Sequence, residues 1–129
     1  MRLPATLAAA PLARERVAFA CDGLDDEQTH VAELLTTELV SNAVRHASRD
    51  GSAEDAIVLH IERTDEALRV EVSDPDARPL GPVHRPTSPR ESGWGLYLVS
   101  ELATAWGSRQ TKTGEGKVVW FEIGLSPRD

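Results

Sequence analysis

The sequence has 129 residues and a mass of 14.0 kDa, which allows one hydrophobic core and is too short for two. Its formal net charge of −7 argues against nucleic acid or an anionic membrane as the main partner, because both are strongly negative. The single cysteine, Cys21, excludes an internal disulfide and a cysteine-based zinc site. No apolar run approaches the roughly 18 residues that span a bilayer, and we expect a cytoplasmic protein.

The first predicted helix occupies the beginning of the chain. Residues 1–9 fit either an edge strand or a loose arm, and Pro11 suits the first turn of a helix that ends near Cys21. Its expected inward residues are Leu12, Val17, Ala18 and Ala20, and its outward residues are Arg14, Glu15 and Arg16. Cys21 is expected to fill the core where this helix ends.

The second predicted helix, which Asp25 or Asp26 can cap and which runs to about Ala47, carries polar side chains on its apolar side. Four apolar residues share one face at about 100° per residue: Val31, Leu34, Leu35 and Leu39. Glu38 and Asn42 lie in the middle of that face, one turn apart. An unpaired polar group that faces a core costs of order 2–7 kcal/mol. Either a local hydrogen-bond network satisfies this pair, or the pair lines a ligand pocket, where its oxygens suit a hard cation or a water.

Two strands with clean alternation follow, at residues 57–63 and 68–74. Their inward residues are Ile57, Leu59 and Ile61 on the first strand and Leu68, Val70 and Val72 on the second. The tight turn between them predicts an antiparallel hairpin. Asp74 is the next inward position of the second strand, so its carboxylate is expected on the buried face at the strand's end.

Residues 75–91 hold five of the chain's eight prolines and show no periodicity, which is typical of a lid or a binding loop. Gly93 and Gly95 then open a helix that is predicted from Leu96 to about Trp106. Its expected packed residues are Leu98, Val99, Leu102 and Ala103. Bare backbone N–H groups at such a turn suit a phosphate. Glycines also end many loops without any ligand, so the turn alone supports both interpretations.

The last predicted element is a hairpin, with residues 107–110 and 117–123 on either side of a turn at 114–116. Trp106 and Trp120 are expected in the core. The whole order predicts one α+β domain over residues 1–129, a two-layer sandwich with helices on one face of a mixed, mainly antiparallel sheet.

Three motifs in this order resemble the Bergerat-fold (GHKL) ATPases, the superfamily of gyrase, the ninety-kilodalton heat-shock chaperone, sensor histidine kinases and the mismatch-repair ATPases. The nearest resemblance is to the small bacterial anti-sigma factor serine kinases and their standalone relatives. Residues 38–47, which read Glu-Leu-Val-Ser-Asn-Ala-Val-Arg-His-Ala, resemble the N box. Residues 73–75, Ser-Asp-Pro, resemble the G1 box, and residues 91–96, Glu-Ser-Gly-Trp-Gly-Leu, resemble the G2 box.

The resemblance implies a Bergerat fold and a role for each matching residue. It implies that Asn42 ligates a Mg²⁺ ion on the ATP phosphates, that Glu38 is the catalytic base, and that Asp74 accepts a hydrogen bond from the adenine amino group. The implied phosphate-binding turn consists of Gly93, Trp94, Gly95 and Leu96. Residues 77–92 are the implied ATP lid.

Arg45 and His46 follow Asn42 within the N box and are the remaining candidates for a nucleotide contact, with a structural role equally open. Trp94, between two glycines at the base of the lid, is in a position to report on a bound nucleotide.

The sequence departs from the superfamily pattern in two places. Residues 74–78, Asp-Pro-Asp-Ala-Arg, lack both glycines of the G1 box, and Asp76 adds negative charge near a polyanion. No threonine lies at residues 117–119 to assist at the adenine, although Thr111 and Thr113 lie upstream. These departures predict weak or regulated ATP binding.

Two function hypotheses follow from the resemblance. The first is an ATP-binding regulator that sequesters a sigma factor, phosphorylates a serine on an antagonist protein with Mg·ATP and forms a homodimer. The second is a binding module in which nucleotide switches a partner surface without phosphotransfer. A sensor kinase domain is disfavoured because no dimerisation helix with a phospho-accepting histidine fits. A scaffold without nucleotide is the remaining alternative.

Overall fold

The structure, a computed structural model, describes residues 1–50, 56–89, 91 and 93–125, which form three helices and a five-stranded sheet. The helices are α1 (Ala9–Ala20), α2 (Asp26–Asp50) and α3 (Trp94–Leu102). The strands are β1 (Arg2–Leu3), β2 (Ile57–Arg63), β3 (Ala67–Asp74), β4 (Ala105–Gln110) and β5 (Lys117–Gly124). Among the described helices, none combines the length and the apolarity that crossing a membrane requires.

The sheet has the strand order β1-β2-β3-β5-β4, and each of these pairings is antiparallel. The inner face of the sheet buries alternate residues such as Leu59, Val70 and Phe121 against the helices, where Leu35 and Leu39 of α2 complete the core. The predicted α+β sandwich and the predicted hairpin of β2 and β3 are therefore confirmed. Residues 1–9 contribute the short edge strand β1.

The helix α2 begins as predicted, because Asp25 Oδ1 accepts a hydrogen bond from the backbone N–H of Gln28 at 2.7 Å. It continues to Asp50, beyond the expected end near Ala47. The expected inward position of Leu12 in α1 is wrong, since Leu12 is 40% exposed. The buried residues of α1 are Ala9, Ala13 and Val17, a four-residue spacing that leaves Leu12 beside the packed stripe.

The predicted helix from Leu96 to Trp106 is too long. The helix α3 ends at Leu102, whose expected burial is also wrong at 45% exposure, and β4 begins at Ala105. Strand β4 pairs with β5, with Trp106 opposite Phe121. This pairing with a distant segment overrides the local helical pattern.

Trp120, expected in the core, lies on the outer face of the sheet and is half-buried. The Arg69 guanidinium covers its ring at 4.0 Å from the centroid. Gly107 of β4 packs on the same ring, and a β-carbon there would be 3.0 Å from Trp120 Cζ2. Alternation along β5 explains the position, because Phe121 takes the inner face.

Gly116 is a further position where the fold needs glycine. A β-carbon on Gly116 would overlap the Asp74 carbonyl oxygen, whereas no described atom lies within 4 Å of the corresponding point on Gly81. We therefore expect Gly116→Ala to lower the free energy of unfolding by about 1–3 kcal/mol, and the control Gly81→Ala to change it by less than about 0.5 kcal/mol. Urea unfolding measures both, and equal values for the two variants would contradict the close approach.

Candidate functional site

The polar residues of α2 meet three different neighbours. Glu38 lies against Gly95 in the first turn of α3, where a β-carbon would overlap the Glu38 carboxylate. Asn42 is 8% exposed, and its Oδ1 accepts a hydrogen bond from Arg45 Nη2 at 3.2 Å. His46 lies one turn after Asn42 and contacts residues of β3 and β5. A local bond thus satisfies the amide oxygen, while the carboxylate lies against the glycine turn.

Asp74 ends β3 on the inner face, as the alternation predicted, and is 4% exposed. Its Oδ1 accepts hydrogen bonds from the backbone N–H of Asp76 at 2.8 Å and from Lys117 Nζ at 3.1 Å. Its Oδ2 lies 3.9 Å from His46 Nδ1, which is too long for a hydrogen bond. No hydrogen bond from the described part of the chain reaches Oδ2.

Lys117, which no sequence motif indicated, is buried beside Asp74 and is 2% exposed. It lies directly opposite Asp74 in the pairing of β3 with β5. Its Nζ donates to Asp74 Oδ1 and to the Asp76 carbonyl oxygen, both at 3.1 Å, and to His46 Nδ1 at 2.6 Å. A signal was present in the alternation of β5, because Lys117 is in phase with the inward residues Val119, Phe121 and Ile123.

The Asp76 carboxylate, which was expected to oppose a polyanion, is paired with Arg78. The guanidinium donates from Nε to Oδ1 at 2.9 Å and from Nη2 to Oδ2 at 2.7 Å, and the backbone N–H of Arg78 donates to Oδ1 at 3.0 Å. These bonds hold the pKa of Asp76 far below its ordinary value. The negative charge of Asp76 is therefore compensated by its own neighbour.

The turn before β5 carries a glycine, Gly116, close to the position where the two G1 glycines are missing. Gly116 packs directly on the backbone of Asp74 and Pro75. Any side chain at position 116 would increase the distance between these two backbone segments. The turn is closed by Thr111, whose N–H donates to the Gly116 carbonyl at 2.9 Å and whose Oγ1 accepts from the Gly116 N–H at 3.2 Å. Close backbone approach at this end of β3 thus comes from the turn before β5.

The turn before α3 has backbone donors that no described side chain caps. Gly93 has a φ of 100°, in the left-handed region that favours glycine, and α3 begins directly after it at Trp94. No described side chain caps this helix. The N–H groups of Trp94, Gly95 and Leu96 belong to the first turn, which lacks intrahelical partners and carries the positive end of the helix dipole.

The described residues of the loop 77–92 lie over the start of α3. An open cavity of about 140 Å³ lies between the loop and this helix, and it is lined by Gly81, Pro82, Val83, His84, Gly93 and Leu96. Trp94 Nε1 donates to the Ser88 carbonyl oxygen at 3.0 Å, which ties the loop to the first residue of α3. Residues 90 and 92 of the expected lid and G2 box lie outside the described residues.

The sequence profile of the histidine kinase-like ATPase domain matches residues 3–123. The chain belongs to the histidine kinase-like ATPase family. Membership implies nucleotide binding. A crystal structure of the RsbU and RsbW domains of Rv1364c from Mycobacterium tuberculosis is similar with a TM-score of 0.71 and 22% identity, over 99% of this chain and 32% of that chain. At this identity the likeness concerns the fold alone. The family match and this fold together confirm the resemblance to the Bergerat-fold ATPases. Among curated proteins, none matches the chain.

A magnesium ion fits the donor set of this ATPase domain. Its described residues hold no group of three or more His, Cys, Asp or Glu side chains that could bind a metal by themselves. Mg²⁺ is commonly held by one or two protein oxygens, with phosphates and waters as the other ligands. Asn42 and Glu38 offer such oxygens one turn apart. A metal ion on Asn42 Oδ1 would compete with the guanidinium of Arg45, which donates to the same oxygen.

The structure brings the expected site residues of this ATPase domain into two groups. Asp74 and His46 meet around Lys117 at the end of β3, and Glu38 meets the glycine turn at the start of α3. Asn42 lies on α2 between His46 and Glu38. The helix α2 is therefore the element that joins the two groups.

The pair of Arg78 and Asp76 predicts a pH-dependent contribution to the stability of this ATPase domain. A carboxyl whose folded pKa is lowered stabilises the fold above its unfolded pKa, about 4, and loses that contribution as the pH falls towards the folded value. Arg78→Gln should be less stable than the wild type by about 1 kcal/mol or less at pH 6, because Arg78 is largely exposed. The difference should shrink below about pH 4.

Urea unfolding between pH 6 and pH 3 measures this difference. The matched control is Arg85→Gln, which removes an exposed arginine from the same loop and should match the wild type at every pH. A difference for Arg78→Gln that does not change with pH would contradict the assignment of the effect to Asp76.

Proposed function

We propose that this ATPase domain binds Mg·ATP, phosphorylates a serine of an antagonist protein and sequesters a sigma factor. The observation that carries the proposal is the contact of the Glu38 carboxylate with Gly95, in the first turn of α3. The N–H groups of that turn, which no described side chain caps, suit phosphate oxygens. Glu38 as the catalytic base would therefore act beside the phosphate that is transferred.

In this mechanism Glu38 accepts the proton of the attacking serine hydroxyl while the serine oxygen bonds to the γ-phosphorus. The bond between the γ-phosphorus and the bridging oxygen breaks, and ADP leaves with the bonding electrons. The N–H groups of Trp94, Gly95 and Leu96 stabilise charge on the phosphate oxygens. Asn42 would hold the magnesium ion, which would neutralise phosphate charge when bound.

Asp74 binds the base end of the nucleotide. Its Oδ2, which accepts no hydrogen bond from the described residues, is the acceptor for the adenine amino group. Arg45 turns from Asn42 towards the phosphates, and residues 77–92 close over the nucleotide as a lid. His46 supports the base end of the site indirectly, through its contact with Lys117.

The partners and the location belong to the same proposal. The resemblance of the N, G1 and G2 boxes to those of anti-sigma kinases supports a sigma factor and an antagonist protein as partners, and a homodimer as the assembly. It also supports a cytoplasmic location, where these partners and ATP occur.

A second candidate function is a nucleotide-dependent partner switch without phosphotransfer. The bond between Trp94 Nε1 and the Ser88 carbonyl favours it, because this bond links the phosphate-binding turn to the loop surface. A phosphate on that turn would then reorganise the surface that a partner contacts.

Nucleotide binding is expected to depend on both ends of the site. The wild type should bind Mg·ATP with micromolar affinity, and Asn42→Ala and Asp74→Asn should each weaken binding by about tenfold or more, since each loses a contact to a charged group. Ser41→Ala, a neighbouring polar residue of α2 outside the site, is the control and should bind like the wild type. Calorimetry measures all four proteins, and absence of binding to the wild type at millimolar ATP would contradict the proposal.

Phosphotransfer is expected to depend on Glu38. Glu38→Gln should bind Mg·ATP within about threefold of the wild type and should transfer labelled γ-phosphate to an antagonist protein at least about 100-fold more slowly, because general-base catalysis is lost. Glu101→Gln, on the exposed side of α3, is the matched control. Unchanged transfer by Glu38→Gln would remove Glu38 from the mechanism. Binding without any transfer by the wild type would favour the partner switch.

A further inference from the structure

The ammonium group of Lys117 is completely engaged inside the protein. A lysine ammonium has three N–H donors. In Lys117 they meet Asp74 Oδ1 at 3.1 Å, the Asp76 carbonyl at 3.1 Å and His46 Nδ1 at 2.6 Å. No donor is left for a nucleotide, so any effect of Lys117 on a ligand must pass through these neighbours.

The neighbour of Lys117 to which the proposal assigns the base is Asp74. Lys117 and the backbone N–H of Asp76 both donate to its Oδ1, which fixes the rotation of the carboxylate. Its Oδ2 is the oxygen that keeps its acceptor capacity. Because both donors bond to Oδ1, Oδ2 is the oxygen that is left to accept a hydrogen bond from a ligand.

The same contact compensates the charge of the Asp74 carboxylate. The side chains of Asp74 and Lys117 are 1% and 2% exposed, and a charge this deeply buried is stable only beside an opposite charge. An ionised carboxylate accepts hydrogen bonds and donates none. It therefore favours a base with an amino group at the contact point and disfavours a base with a carbonyl or a bare ring carbon there.

We propose that Lys117 is a positioning residue that holds Asp74 as an ionised carboxylate with Oδ2 directed at the base, and that it thereby selects nucleotides whose purine carries a 6-amino group. This inference rests on the proposed ATP site. Lys117 itself touches neither the base nor the phosphates.

A pair of ligands separates this role from a purely structural one. The pair is ATP and purine riboside triphosphate, which differs from ATP only by lacking the 6-amino group. By calorimetry with Mg²⁺, the wild type should bind ATP about tenfold or more tighter than the analogue, as expected for a hydrogen bond to a charged acceptor. Lys117→Met should reduce this preference to less than about threefold, with affinity for the analogue within about threefold of the wild type.

The matched control is Lys112→Met, the same substitution at the chain's other lysine, which is exposed. It should keep the full preference for ATP. An unchanged preference in Lys117→Met would overturn the inference, as would an equal loss of affinity for both ligands. A wild type that binds both ligands equally would overturn the inference and leave the ATP site intact. A wild type that binds neither would overturn both.

A measurement on the wild type covers the case in which Lys117→Met does not fold. The chain has two lysines, so the ¹⁵N signal of a buried, slowly exchanging ammonium group is assigned by comparison with Lys112→Met. The Lys117 signal should persist and shift when ATP is added, and should shift less with purine riboside triphosphate. Loss of the signal on addition of ATP would mean that the base displaces the lysine, which would overturn the inference.

Discussion

A buried ammonium group joins the two layers of this ATPase domain. Lys117 of β5 bonds to Asp74 of β3 and to His46 of α2, so one side chain connects the sheet to the central helix. Removing one partner of such a buried pair typically costs about 3–5 kcal/mol, because the other charge is left uncompensated. The end of the sheet where Asp74 lies is thus held by charge, whereas the rest of the core is held by apolar packing. The position of the proposed base site depends on this contact.

The helix α2 connects the buried lysine at the base end of the proposed site to the glycine turn at the phosphate end. His46 contacts the buried lysine, Asn42 lies one turn earlier, and Glu38 lies one turn before Asn42, against the glycine turn of α3. A helix is stiff over two turns, so the distance between the base end and the phosphate end is set by its geometry. The loop that follows Asp74 adds little net charge to the proposed site, because Arg78 compensates the charge of Asp76.

Most of the fold was predictable because its elements follow local patterns. Alternation located β2, β3 and the inward Asp74, and the apolar face of α2 located Glu38 and Asn42, whose roles stay predictions. Leu12 and Trp120 were assigned to the wrong side of an element that was itself predicted, whereas the other failures involve distant contacts. Ala105 and Trp106 continue a helical pattern but pair with β5, and Lys117 meets a carboxylate 43 positions away in the sequence. Lysine is almost always exposed, so its inward phase in β5 carried little weight without the structure.

We propose that α2, the end of β3 and the start of α3 form one nucleotide site. Titration of ¹⁵N-labelled wild-type protein with a non-hydrolysable ATP analogue and Mg²⁺, followed by amide NMR spectra, tests this directly. The shifted signals are expected to cluster at residues 38–46, 74–76, 93–97 and 117. Shifts that cluster elsewhere, for example around Leu7 and Ala10 beside the outer side of α2, or no shifts at millimolar analogue, would contradict it.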